Sequence, residues 1–145
     1  MENQVIEILL VEDNLQDAEM TIRALKKSKL ANNIVHVANG AIAIDFLFGT
    51  GEYIGRDINN KPKVILLDIK LPKINGIEVL SHIKSNQLTK RIPTVMLTSS
   101  SECPDIEKCY DLGANSYLVK PVEFENFMKS ITDMGLYWLI LNKEV

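Results

Sequence analysis

Apolar positions in this chain alternate between two patterns: short unbroken runs, and longer stretches in which they recur every three or four residues. Residues 5–11, Val-Ile-Glu-Ile-Leu-Leu-Val, are rich in strand formers with one charge near the start. They predict a buried strand of the parallel type. From Leu15 the spacing changes. Leu15, Ala18, Ile22 and Leu25 recur close to a 3.6 period, with Asn14 placed to cap the start and Lys26, Lys27 and Lys29 near the end. An amphipathic helix of about four turns is expected there. Asn32-Asn33 is a turn signal, and residues 34–38 (Ile-Val-His-Val-Ala) read as a second strand. Asn39-Gly40 opens a helix carrying Ile42, Ala43, Phe46 and Leu47, which Gly49 and Gly51 end.

Residues 49–61 hold three glycines and two asparagines, with Pro62 just beyond. This is the longest connection and the one where mobility is expected. Val64-Ile-Leu-Leu-Asp68 follows: four apolar residues running into one carboxylate, too short for a helix and long enough for a central strand. Residues 72–76 form a loop, and Ile77, Val79, Leu80 and Ile83 line a helix to about Ser85. Residues 92–97 are a fourth strand, with Pro93 near its start, where it is tolerated. The hydroxyl cluster Thr98-Ser99-Ser100-Ser101 ends it. A helix over about 103–112 carries Pro104 in its first turn and Gly113 as its C-cap. Residues 115–119 are a fifth strand, broken by Lys120-Pro121, and Phe124, Phe127, Met128, Ile131 and Met134 give a last helix. Strands alternate with helices throughout. Right-handed crossovers then place the helices on both faces of one parallel sheet, in an order the pattern leaves open.

The 145 residues make one domain of ordinary size; 46% apolar and 24% charged residues is a globular balance. The net charge of −3 gives no footprint for nucleic acid. The longest apolar run, six residues over 136–141, is far short of a membrane span, and the start shows no secretory signal. Cys103 and Cys109 fall in one expected helix, where small packing groups are more common than a bridge or a redox pair. A reduced, cytoplasmic protein is the default.

The chemistry lies at the carboxyl ends of the strands, where ligands bind in open parallel sheets. Strand one supplies Glu12 and Asp13, strand three Asp68, strand four Thr98 and Ser99, strand five Lys120. Each has an ordinary reading: a helix-capping loop, a turn residue, a surface lysine. Together they put three carboxylates beside one lysine and a hydroxyl. Clustered carboxylates raise one another's cost of ionisation, and a hard cation such as Mg²⁺ removes it. The lysine and the hydroxyl can donate to a phosphoryl oxygen. These are the parts of a nucleophilic Asp with a metal and donors for a phosphoryl group in transfer.

With Leu71-Pro72, Asn75-Gly76, Asp111-Leu112-Gly113-Ala114 and Lys120-Pro121 added, the chain resembles the receiver domain of two-component response regulators over about its whole length. The resemblance implies a flavodoxin-like (βα)5 sandwich of strand order 2-1-3-4-5, and a single receiver domain over 1–145 with no output domain. It implies that Asp68 accepts a phosphoryl group from a sensor histidine kinase. Glu12, Asp13, Asp68 and the backbone carbonyl of Lys70 would hold Mg²⁺. Lys120 and Thr98 would bond the phosphoryl oxygens, Tyr117 would be the switch aromatic, and the Lys120–Pro121 peptide would be cis. Asn75 stands where many receivers carry Asp; either makes the turn. Lys70, two residues after Asp68, is expected at the pocket mouth. The segment with Phe46-Leu47-Phe48-Gly49 and Gly51-Glu52-Tyr53, and the tail with Tyr137, Trp138 and Leu139, are similar to the response regulators that partner bacterial phytochrome kinases. The tail is apolar all round. It either packs on its own domain or forms a partner or homodimer patch.

Three rivals share parts of the pattern. A hydrolase of the haloacid-dehalogenase type needs a second Asp where Lys70 stands. A flavodoxin-type carrier needs a phosphate loop where Glu12 and Asp13 would repel it. A phosphorylation-independent binding module on a receiver fold would not need the complete set of pocket residues found here.

Overall fold

A computed structural model describes residues 8–26, 33–72, 74–99 and 105–135. Five strands, β1 (Ile8–Val11), β2 (Ile34–Val37), β3 (Val64–Asp68), β4 (Thr94–Thr98) and β5 (Ser116–Val119), form one parallel sheet of order β2-β1-β3-β4-β5. The helices are α1 (Leu15–Lys26), α2 (Gly40–Phe48), α3 (Gly76–Lys84), α4 (Asp105–Asp111) and α5 (Phe124–Asp133). This is the flavodoxin-like architecture expected.

The unbroken apolar runs follow from burial on both faces. Leu9, Val11, Ile65, Leu67 and Met96 point to one side, against Ala43, Phe46 and Leu47 of α2, Val79, Leu80 and Ile83 of α3, and Cys109 of α4. Their alternates, Ile8, Leu10, Val64, Leu66, Val95, Leu97 and Leu118, meet Ala18 and Leu25 of α1 and Phe127 and Ile131 of α5. All residues of β1, β3 and β4 are buried.

Local boundaries shift for identifiable reasons. Strand β4 starts at Thr94 because Pro93 has no N–H to give; its carbonyl still accepts from Ile65 N at 2.9 Å. Strand β5 starts at Ser116, since Asn115 turns its side-chain oxygen to Thr94 N at 2.9 Å. Leu15, expected on the buried stripe of α1, is 68% exposed. The first turn stands at the polar sheet edge, and the stripe runs through Ala18, Thr21 and Leu25 instead. The expected first residues of strand one, the start of the 103–112 helix with Cys103, and Tyr137, Trp138 and Leu139 lie outside the described residues.

The 49–61 connection, where mobility is expected, makes side-chain contacts back to α2. It contains a 3-10 turn over Gly51–Tyr53. Arg56 stacks 4.0 Å over the Phe46 ring while its Nε donates to Phe46 O at 2.7 Å and its Nη1 to Asn60 O at 3.0 Å. It thus satisfies an orphan carbonyl at the end of α2. Tyr53 meets the same ring edge-on at 5.1 Å.

The expected 72–76 loop ends in a helix start. Asn75 caps α3, accepting from Glu78 N at 3.0 Å, while Glu78 Oε1 accepts from Asn75 N at 3.4 Å: a full capping box. Gly76 N donates to Ile69 O at 2.8 Å. A Cβ on Gly76 would collide with the Asp68 carbonyl oxygen and lie 2.7 Å from Ile69 Cα, both backbone. The start of α3 is therefore pressed against the backbone that carries Asp68. Gly76→Ala is expected to lose about 2–3 kcal/mol of stability, against about 1 kcal/mol for Asn75→Ala, as read from urea unfolding. Equal small losses for both would contradict the close approach.

Candidate functional site: an acidic cleft at the carboxyl edge of the sheet

Register brings the strand ends level. Asp68 lies beside Leu97, and Thr98 beside Val119. The ladder continues one residue further: Glu12 N donates to Val37 O at 3.1 Å, Ile69 N to Leu97 O at 3.0 Å and Lys120 N to Thr98 O at 2.8 Å. Backbone pairing thus fixes the residues from which the site is built. They surround a cleft of about 230 Å³ lined by Glu12, Asp13, Asp68, Lys70, Thr98 and Lys120, among others.

Lys120 is the hub. Its Nζ donates to Glu12 Oε1 at 2.9 Å, Asp68 Oδ2 at 3.1 Å and Asp17 Oδ2 at 3.2 Å. Glu12 is fully buried, and its Oε2 also accepts from Asn14 N at 3.2 Å. Its carbonyl accepts from His36 Nε2 at 2.8 Å, tying it to β2. Asp68 is buried, and its Oδ1 accepts from Lys70 N at 3.1 Å. Burial, helped by the hydrogen bond and charge of Asp68, pushes the Glu12 carboxyl up to about 7, although Lys120 pulls the other way. Burial works against the Lys120 ammonium, but its bonds to Glu12 and Asp68 override that and hold it above its ordinary value.

Glu12, Asp13 and Asp68 each offer a carboxylate oxygen within 4.8 Å of the others. An all-oxygen set of this kind, partly open to solvent at Asp13, suits a hard divalent cation. Burial first, and the neighbouring Asp68 carboxylate second, keep the Glu12 carboxyl raised, and added positive charge would oppose both. The residues therefore fit the cation that their spacing suggested.

Every described residue singled out from the sequence has a definite place. Glu12, Asp13, Asp68, Lys70, Thr98 and Lys120 share the cleft. Thr98 is buried and Lys70 exposed. The Lys120–Pro121 peptide is cis. Tyr117 is half-buried on β5, outside the cleft lining, with its ring edge-on to Tyr110 at 6.2 Å. Sequence reasoning missed Asp17 and His36. Asp17 was findable: it stands in the first turn of α1, directly after the Glu12-Asp13-Asn14 loop, and so near the same edge of the sheet. His36 gave no signal, because it sits inside a strand of ordinary composition.

A doubly wound α/β domain with one buried aspartate at its carboxyl edge, a cation-fitting acidic set and a lysine bridging them defines a narrow class of signalling domain. The chain belongs to the response regulator receiver domain family, which it matches over residues 8–132, and it has that family's phosphoacceptor role in two-component signalling. The response regulator Rcp1 of Synechocystis is 38% identical over 132 residues, covering 91% of this chain and 88% of Rcp1. Its Mn²⁺-bound structure superposes with a TM-score of 0.73 at 37% identity, covering 92% of this chain and 94% of the other. The bacteriophytochrome response regulator AtBRR is 48% identical with a TM-score of 0.85, over 94% of this chain and 96% of that one. The phosphorylated cyanobacterial phytochrome response regulator RcpA is 37% identical with a TM-score of 0.75, over 94% and 95%. Among the described residues, no helix is long and apolar enough to cross a membrane.

Two substitutions separate the roles of charge in the cleft. Glu12→Gln should weaken Mn²⁺ binding by on the order of tenfold. Lys120→Met should not weaken it, because Nζ competes with a cation for the same oxygens; instead, thermal stability should come to depend on the added cation. Titration followed by the Mn²⁺ resonance signal, with melting curves, checks both. Loss of Mn²⁺ binding in Lys120→Met would contradict the competition.

Proposed function

We propose that Asp68 is the phosphoacceptor and takes its phosphoryl group from a phosphohistidine of a sensor histidine kinase. The observation that carries this is the Lys120 ammonium, bonded to Asp68 Oδ2 and Glu12 Oε1 in the same cleft as the three-carboxylate set. An Asp68 oxygen forms the new bond to phosphorus while the bond from phosphorus to the imidazole nitrogen breaks. The imidazole leaves and takes up a proton from solvent. The amide of Lys70, bonded to Asp68 Oδ1, helps hold the carboxylate in one orientation for this attack. Lys120 stays beside the carboxylate and offers its charge to a phosphoryl oxygen, and the Thr98 hydroxyl offers a second donor. Glu12, Asp13, Asp68 and the Lys70 carbonyl would hold Mg²⁺, which when bound supplies neutralising charge to the phosphoryl oxygens and the carboxylates. The protein assists only its own phosphoryl transfer and dephosphorylation.

A dianionic group at Asp68 attracts Thr98 and Lys120 toward it. Movement of Thr98 makes room for Tyr117, and this biases the face of α4, β5 and α5 toward a second arrangement that a partner reads. The kinase is proposed to be of the phytochrome type and to meet this protein in the cytoplasm, supported by the likeness to AtBRR, Rcp1 and RcpA. Tyr137, Trp138 and Leu139 are proposed, on their sequence alone, to form a homodimer patch. Light scattering over a range of concentrations should show self-association that Trp138→Ala weakens; a strict monomer in both proteins excludes it.

Intact mass after incubation with acetyl phosphate and Mg²⁺ tests the acceptor directly. Wild type should gain one phosphoryl group, with acetate as the leaving group, and Asp68→Ala none. Unmodified wild type would favour the phosphorylation-independent module. Lys70→Ala should change the half-life of the phosphorylated species, since Lys70 lines the mouth of the cleft; an unchanged decay rate removes that role.

A further inference from the structure

Lys120 makes one contact that the proposed reaction does not use. Its Nζ reaches Asp17 Oδ2 at 3.2 Å, in addition to Glu12 and Asp68. Asp17 lies in the first turn of α1, and its own amide donates to Asn14 Oδ1 at 2.9 Å, which fixes the turn that carries it. It lines the cleft, yet it is not among the three carboxylates close enough to share a cation. Its side chain is 39% exposed, whereas that of Glu12 is wholly buried.

An ammonium has three protons to donate, and here all three are directed at carboxylates. A phosphoryl oxygen can take a full hydrogen bond from Nζ only in place of one of them. Glu12 is wholly buried and Asp17 is not, so of these bonds the one to Asp17 is given up at least cost. Asp68 changes its charge on phosphorylation but not its position at the strand end. Asp17 can turn to water at little cost, because it is already half in it. Its negative charge also stands at the same cleft in which a carboxylate becomes a group of about −2. Competition for Nζ and charge repulsion therefore act in the same direction.

We propose that Asp17 opposes phosphorylation of Asp68: it holds Lys120 in the unphosphorylated state and must release it for the phosphoryl group to be received. The inference rests on the reading of Asp68 as the phosphoacceptor. It makes Asp17 a positioning residue acting through Lys120, not a group that touches the reacting atoms.

The test is the rate of phosphorylation by acetyl phosphate at saturating Mg²⁺, followed by intact mass, in wild type, Asp17→Asn, Asp17→Ala and Glu19→Gln. Glu19 is exposed on the same helix and provides the same change of net charge. Both Asp17 variants should react about two- to fivefold faster, the range of a partly exposed ion pair, with Mn²⁺ affinity held within about twofold. Glu19→Gln should match wild type. Wild type that reacts while both Asp17 variants are equal or slower overturns the role of Asp17 and leaves Asp68 as the acceptor. An equal gain in Glu19→Gln also overturns it, since net charge alone would then explain the rate. A Mn²⁺ affinity lowered tenfold in the Asp17 variants places Asp17 with the cation instead and overturns it too. No phosphoryl gain in any of the four proteins overturns both readings together.

Discussion

The structure depends on one charge balance. Three carboxylates, from the ends of β1 and β3 and the start of α1, meet a single ammonium from the end of β5. Without that ammonium, buried Glu12 and buried Asp68 would face each other unpaired, an arrangement that costs several kcal/mol in a folded protein. The pairing therefore ties residues 12, 68 and 120, far apart in sequence, to one point. It also explains why the site is poised. One ammonium is shared among three carboxylates, so a change of charge at any of them bears on the other two.

The sheet makes so acidic a point possible. Parallel strands buried on both faces need no polar side chains along their length, so polar residues can collect at one edge. The backbone ladder runs one residue past the strands, through Glu12, Ile69 and Lys120, so the charged groups start from fixed positions. Precision at the site comes from main-chain pairing, and the side chains need only reach across the cleft.

Much of this was legible in the chain. The run Val64-Ile-Leu-Leu-Asp68 could only be a short buried strand, and alternation of two hydrophobic periods set the fold class. The strand order needed the family resemblance, because periodicity says nothing about which strands are neighbours. The cleft residues were legible because strand ends announce themselves by an abrupt change from apolar to charged. What escaped was set by tertiary packing. Leu15 fits the helical period but stands past the edge of the sheet. Arg56 lies in a glycine-rich segment, and its stacking on Phe46 could not be read from that composition. The capping box of Asn75 and Glu78 was visible at its three-residue spacing, though the same residues also read as a plain turn.

The contact between Gly76 and the backbone of Asp68 has a mechanical meaning. Asp68 is closely backed: the start of α3 lies against its main chain with no room for a side chain between them. Asp68 is in this sense an anvil. Its side chain reaches into the cleft and bonds Lys120, while its main chain lies against the start of α3. The missing side chain at Gly76 thereby lets α3 brace the residue that bonds Lys120.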